Sequence, residues 1–213
     1  MCLSAQSLYL LLISTFGRLA NAEYLSFGES VLNPNERKSA IAKVPKIGER
    51  WCSPKTIFTC IIIPANAFAL AGGLMTTSES AGAPMDPSKA PTSVGLQATG
   101  QFVLLALATA LSLRSLSVTN RNRIRNCTAS TVSFACMFLV SRAIYGFISC
   151  FIRELNYFIP YNYYTHTGAY TTFTTTYYIF GPTMEFCSVI LLLSSYFVPN
   201  QHEYGLTNNQ IVD

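Results

Sequence analysis

Four long apolar runs, separated by polar segments, organise most of the chain. Each run is about 20 residues or longer, the length that a helix needs to cross a bilayer core about 30 Å thick. The pattern predicts an all-α fold, a multi-pass transmembrane helix bundle over residues 54–198. Its four strong spans are predicted at residues 54–75, 93–113, 127–151 and 173–198.

A weaker apolar segment precedes these spans, at residues 1–22. Its central run at residues 7–16 is mostly apolar, and residues 20–22 have the A-x-A form of a signal-peptidase site. A signal peptide also needs a positively charged start, but no Lys or Arg precedes the run. The segment is therefore interpreted either as signal-like or as a short membrane helix, which would add a weak N-terminal span.

Most basic residues are predicted to lie on one side of the membrane. The polar segment at residues 23–53, together with Lys55 and a loop at residues 114–126, carries ten Lys and Arg residues, whereas the loops on the opposite side carry two. Basic loops favour the cytoplasmic side. We therefore expect residues 23–53 and the tail at residues 199–213 to be cytoplasmic. A cleaved signal peptide would place residues 23–53 outside, so the charge count favours a membrane helix at the N terminus.

The composition excludes several classes of protein. Charged residues make up 11% of the chain, against about 25% in an average soluble protein, and apolar residues make up 50%. A disordered chain needs more charge and fewer aromatic side chains. The formal net charge is only +4, and the basic residues form no long stripe with interleaved aromatic residues, so nucleic-acid binding is not expected.

The sequence contains no pattern of metal-binding or catalytic residues. Its seven cysteines include no C-x-x-C pair, and the two histidines, His166 and His202, fall on opposite predicted sides of the membrane. Glycine-rich phosphate loops, G-x-S-x-G elbows and H-E-x-x-H motifs are also missing from the sequence. We therefore expect no metal, no cofactor and no enzymatic activity. The expected partners are the lipid bilayer and a lipid or small-molecule ligand.

Two charged residues, Arg142 and Glu185, lie deep within the predicted spans. An ionisable group at the bilayer centre costs roughly 2.5–3.5 kcal/mol on insertion scales, so such residues usually face the bundle and find a partner. Arg142 precedes Phe151, the end of the third span, by about 13 Å of helix, and Glu185 follows Phe173, the start of the fourth span, by about 18 Å. These depths predict an intramembrane Arg–Glu pair in the outer half of the bundle.

Three further residues are candidates for the same site. Tyr145 and Ser149 follow Arg142 at spacings of three and seven residues, which places them on one helix face. Pro182 lies three residues before Glu185 and is expected to open the helix beside the carboxylate. Two functions follow from this pattern. The pair either handles a lipid or small solute, or it is a structural clamp in a receptor-like or scaffolding membrane protein.

Short motifs in the spans resemble a known family. These are A-G-G-L at residues 71–74, G-L-Q at residues 95–97, F-L-V-S-R-A-I-Y-G-F at residues 138–147, and P-T-M-E-F at residues 182–186. Together they are similar to an uncharacterised fungal seven-helix integral membrane protein family of unknown function. The resemblance implies seven helices in the full family, so this chain, with four or five, resembles a shortened member.

A more distant likeness is to the fungal lipid-translocating exporter family. That family also has a G-G run and a helix of the G-L-x-x-Q type. It carries an Arg and then a Glu shortly after its R-x-x-Y element, whereas this chain has G-F-I-S at residues 146–149. This second resemblance implies lipid handling as the activity.

Overall fold

The computed structural model describes residues 2–27, 30–32, 53–77, 90–121, 127–152, 155–156 and 174–197. Within them the chain forms five long helices and no strand, so the predicted all-α fold is confirmed. The first four helices are α1 (Cys2–Phe27), α2 (Pro54–Thr77), α3 (Ala90–Arg121) and α4 (Cys127–Phe151). The last, α5, runs over Thr174–Phe197 and contains a π-helical turn at Ile179–Thr183.

Four of these helices are long and apolar enough to cross a membrane. Their apolar spans are Pro54–Met75, Pro91–Arg121, Cys127–Phe151 and Thr174–Phe197. The fold is therefore that of a multi-pass membrane protein. Helix α1 is not among the four, although its 26 residues make it about 39 Å long.

Consecutive helices pack side by side, and α1 packs across all of them. Helix α2 contacts α3, α3 contacts α4, and α4 contacts α5, while α1 contacts each of the other four and α4 most extensively. Three contacts between α4 and α5 define their direction: Ala135 meets Ser188, Arg142 meets Glu185, and Tyr145 meets Phe180. Residue numbers rise along one helix as they fall along the other, so α4 and α5 are antiparallel.

Helix α1 contributes a full stripe of side chains to the core. Leu8, Leu12, Thr15 and Leu19 are buried at spacings of three and four residues, which is the period of one helix face. The Phe16 ring stacks on the Phe58 ring of α2, with centroids 4.5 Å apart. The N-terminal segment that looks weakest by hydropathy is thus a central packing element.

Two helices extend beyond the limits expected from sequence. Helix α1 continues to Phe27, although a polar segment was expected from residue 23, and α3 continues to Arg121, although a loop was expected from residue 114. The reason is that polar residues at these helix ends have partners. Glu23 pairs with Arg114, and the Arg121 guanidinium lies over the Phe27 ring, 5.6 Å from its centroid.

Small residues allow α2 and α3 to approach closely. A Cβ atom added to Gly72 would lie 2.6 Å from the Ser93 carbonyl oxygen and 2.9 Å from the Gln97 Cα atom. A Cβ atom added to Gly100 would lie 2.9 Å from the Ala69 Cα atom. Helix pairs in lipid associate through such small residues, because apolar side chains gain little by leaving the lipid tails.

We predict that Gly72→Ala destabilises the bundle by about 1–3 kcal/mol, because the new methyl group meets the backbone of α3 and must push the helices apart. The matched control is Gly95→Ala, since an added Cβ at Gly95 meets nothing within 4 Å. This control should be neutral, or more stable by up to about 1 kcal/mol through helix propensity. Equilibrium unfolding in detergent micelles measures both. Equal effects of the two substitutions would contradict the close helix crossing.

Candidate functional site

The Arg142 and Glu185 side chains meet inside the bundle. Arg142 Nε donates a hydrogen bond to Glu185 Oε1 at 2.7 Å. The Arg142 side chain is 1% exposed, whereas that of Glu185 is 13% exposed. The pair joins α4 to α5 about 13 Å from the end of α4 at Phe151. Its carboxylate is therefore the more accessible partner.

A local change of helix type precedes Glu185. Proline lacks a backbone N–H, so Pro182 cannot bond the carbonyl group of Tyr178, four residues earlier. The Thr183 hydroxyl donates to that carbonyl oxygen instead, at 2.7 Å, within the π-helical turn Ile179–Thr183. Single π-helical turns occur frequently at functional sites. Here the turn ends two residues before Glu185, which carries the intramembrane carboxylate.

A glutamine from α3 lies against the ion pair. Gln101 is buried, and its side chain covers Gly146, one turn along α4 from Arg142. A Cβ atom at Gly146 would lie 2.7 Å from Gln101 Oε1 and 3.3 Å from Arg142 Nη1. The absence of a side chain at Gly146 thus leaves room for both the Gln101 amide and the Arg142 guanidinium beside this turn of α4.

A second glutamine extends the polar region towards the end of α4. Gln97 lies one helical turn before Gln101 and is fully buried, and Asn156, just beyond α4, is also buried. Asn156 Nδ2 donates to Gln97 Oε1 at 3.3 Å, while Gln97 Nε2 has no acceptor among the described residues. We call Gln97, Gln101, Arg142, Asn156 and Glu185 the buried polar cluster.

The other residues expected at this site have more local roles. The Tyr145 hydroxyl donates to the Leu155 carbonyl oxygen at 3.4 Å, and its ring lies 6.0 Å from the Arg142 guanidinium carbon. Ser149 donates to the carbonyl oxygen of Gly146 at 2.8 Å, so its hydroxyl bonds within its own helix. Pro182 shapes the π-helical turn rather than contacting the pair.

Sequence reasoning missed Gln97, Gln101 and Asn156. The available signal was the pair of glutamines in an otherwise apolar span, at a spacing of four residues that places them on one helix face. Burying an amide without a partner costs about 1–3 kcal/mol, so two amides on one face indicate a polar neighbour. Nothing in the local sequence identified Asn156, which comes to the site from the segment after α4.

A second buried carboxylate lies at the opposite end of the bundle. Glu23 of α1 is 1% exposed and accepts a hydrogen bond from Arg114 Nε at 2.5 Å. Its other oxygen accepts bonds from the Ser30 hydroxyl at 3.1 Å and from the Val31 N–H at 3.1 Å. Sequence reasoning missed this pair because it assigned both residues to polar segments outside the spans.

Arg18 fixes α1 to α5 near the same end. Its Nε donates to the Ser195 hydroxyl at 3.0 Å, and its Nη2 donates to the Ser195 carbonyl oxygen at 2.5 Å. The guanidinium also lies over the Tyr196 ring, 3.5 Å from the centroid. The charged residues of α1 therefore have partners on α3 and α5, so the helix is well packed although two charges interrupt its apolar sequence.

No arrangement of metal ligands occurs in the part of the chain that the structure describes. Groups of three or more His, Cys, Asp or Glu side chains are not found there, and the cysteines at residues 60, 127, 136, 150 and 187 are free thiols. Within the described residues, the chemistry available at the buried polar cluster is therefore hydrogen bonding and ion pairing by amide, guanidinium and carboxylate groups.

The geometry defines the class of the protein: a helical multi-pass membrane bundle with one Arg–Glu pair towards each end. No model of a known protein family matches the chain, and no curated protein or solved structure is significantly similar to it. The resemblance to fungal membrane protein families stays a prediction from the short motifs.

We predict that Arg114→Ala destabilises the protein by about 2 kcal/mol, because it removes a hydrogen bond to a charged group and leaves the Glu23 carboxylate buried without its cation. The exposed Arg121 on the same helix is the control, and Arg121→Ala should change the free energy of unfolding by less than about 0.5 kcal/mol. Thermal or denaturant unfolding in micelles compares the two. Equal losses would mean that Glu23 does not depend on Arg114.

Proposed function

We propose that the protein handles a lipid or small polar solute through the buried polar cluster. The observation that carries this proposal is the placement of five polar side chains, from α3, α4, α5 and the segment after α4, in one region of an otherwise apolar bundle. Hydrogen bonds between side chains of membrane helices stabilise a bundle by only about 0.6 kcal/mol each on average, so stability alone gives little reason to bury these amides. Such residues in membrane proteins often mark a substrate pathway.

The hydrogen-bonding capacity of the cluster supports a ligand with oxygen atoms. Gln97 Nε2 is a donor without an acceptor among the described residues, so a hydroxyl, carbonyl or phosphate oxygen placed beside it would gain a bond. Glu185 is partly accessible, whereas Arg142 is sealed behind it. An incoming hydroxyl group could therefore donate to the carboxylate before it reached the buried amides and the guanidinium.

The helix geometry beside the carboxylate supports movement in this region. The π-helical turn at Ile179–Thr183 interrupts the regular hydrogen bonding of α5 and ends two residues before Glu185. Interrupted helices near the middle of the membrane are frequent where transporters bind substrate. We propose binding or transport rather than enzymatic catalysis, because Arg142 and Glu185 are paired with each other.

A structural role is the second candidate function. The burial of Arg142 favours it, because a guanidinium that is 1% exposed and bonded to Glu185 can act as a clamp between α4 and α5. In that case the chain would be a receptor-like or scaffolding membrane protein, and the cluster would serve only to hold the helices in register.

The experiment that separates these functions is a charge swap in proteoliposomes. The full chain, the double variant Arg142→Glu/Glu185→Arg and the single variant Gln97→Leu are reconstituted after their unfolding has been measured. Two probes are used: a fluorescent phospholipid whose outer-leaflet label is quenched by dithionite, and osmotic swelling with glycerol. Ser149→Ala is the control, because its hydroxyl bonds only within its own helix among the contacts described.

For a handling role, the native chain should accelerate one of the two probes over protein-free liposomes. The charge swap should fold but lose the acceleration, and Gln97→Leu should slow it by about tenfold, the factor equivalent to one lost hydrogen bond of about 1.4 kcal/mol in the transition state. A swapped variant with native stability and native rates would contradict the proposal and favour the clamp, as would a native chain that accelerates neither probe.

A further inference from the structure

A cavity of about 360 Å³ lies at the end of the bundle opposite the buried polar cluster, between the C-terminal parts of α1 and α3. Two arginines, Arg114 and Arg121, and the Ser117 hydroxyl line one wall. Phe27 and Val118 contribute apolar surface. The cavity therefore combines basic, hydroxyl and apolar groups. The Glu23–Arg114 ion pair forms part of its wall, and the Arg142–Glu185 pair lies elsewhere.

The helix period places the two arginines on the same face of α3. Arg114 and Arg121 are seven residues apart, close to two turns, and Ser117 lies between them on that face. The Arg114 Nε atom donates a hydrogen bond to Glu23. The terminal Nη atoms of Arg114 make no hydrogen bond within the described part of the chain. Its side chain is 39% exposed, so these donors are accessible from the cavity.

The charge of the cavity favours an anion. Glu23 is also part of the lining, but its carboxylate is buried and bonded by Arg114, the Ser30 hydroxyl and the Val31 N–H. The second arginine, Arg121, contacts only the Phe27 ring among the described residues, and its charge is left without a counterion there. Guanidinium groups bind phosphate oxygens through paired N–H donors, which fits two arginines and a hydroxyl.

The position of the cavity favours an anion that belongs to a lipid. Leu113 and Leu116 of α3, which flank Arg114 in sequence, are exposed on the bundle surface where lipid tails would lie. The same end of the bundle is predicted to be cytoplasmic from the distribution of Lys and Arg. Basic pockets between transmembrane helices on that side bind anionic lipid head groups.

We infer that this cavity binds the phosphate group of an anionic phospholipid in the adjacent leaflet. Arg114 and Arg121 contact the phosphate oxygens, Ser117 donates a further hydrogen bond, and the exposed Phe27 ring contacts the upper part of the lipid. This inference does not depend on the proposed function, since the cavity and the buried polar cluster lie at opposite ends of the bundle.

The test is a binding titration of the purified full chain in a neutral detergent. Three probes are compared: short-chain phosphatidic acid, short-chain phosphatidylcholine and inorganic phosphate. The native chain should bind phosphatidic acid more tightly than either of the other probes. Arg121→Gln should weaken that binding about fivefold, the factor expected for one basic residue near an anionic membrane surface. Unfolding of each variant is measured alongside to confirm that it is folded.

The matched control is Lys55→Gln, which removes an exposed positive charge from the start of α2 and lies outside the cavity lining. This variant should bind phosphatidic acid as the native chain does. Equal weakening by both substitutions would overturn the inference, because it would show attraction by surface charge alone. Failure of the native chain to prefer phosphatidic acid over phosphatidylcholine would also overturn it. Binding of inorganic phosphate as tightly as phosphatidic acid would assign the cavity to a free anion and contradict the lipid source.

Discussion

A charge buried in an apolar bundle needs a partner, and this requirement governs how four of the five helices are arranged, α1, α3, α4 and α5. Removing one member of a fully buried pair typically costs 3–5 kcal/mol, a large part of the stability of a small protein, and less where one partner is partly exposed, as Arg114 is. Arg142 and Glu185 join α4 to α5, and Glu23 and Arg114 join α1 to α3 towards the opposite end. Each pair is satisfied at one register only, so sliding either helix by one turn would separate the charges.

Helix α1 shows why hydropathy alone misjudges such a chain. Its charged residues lower its apparent hydrophobicity, yet they are the groups that attach it to its neighbours: Glu23 bonds Arg114, and Arg18 bonds Ser195 and covers Tyr196. Its apolar stripe, which includes Leu12 and Leu19, packs inside the bundle. The charged side chains of such a helix are tolerated because they pair with groups of the neighbouring helices.

Some features could be predicted from the sequence because they depend only on the length of the apolar runs and on how far a residue lies from the end of its helix. The helical bundle follows from runs of apolar residues, and the depths of Arg142 and Glu185 follow from the rise of a helix. The lengths of α1 and α3 could not be predicted from sequence. Glu23 and Arg114 look like solvated loop residues in the sequence, and only the folded structure shows that they pair with each other. Gln97 and Asn156 meet only through the packing of α3 beside α4, which no local pattern encodes. The π-helical turn was anticipated only as an opening at Pro182.

The central claim is that Arg142 and Glu185 stabilise the bundle as a pair, and a double-mutant cycle tests it most directly. Arg142→Met, Glu185→Met and the double variant are compared by equilibrium unfolding of the full chain in micelles. Each single change should lose about 3–5 kcal/mol, whereas the double change should lose less than the sum, because no buried charge is left alone. Losses that simply add would show that the two residues stabilise the protein independently and would contradict this account.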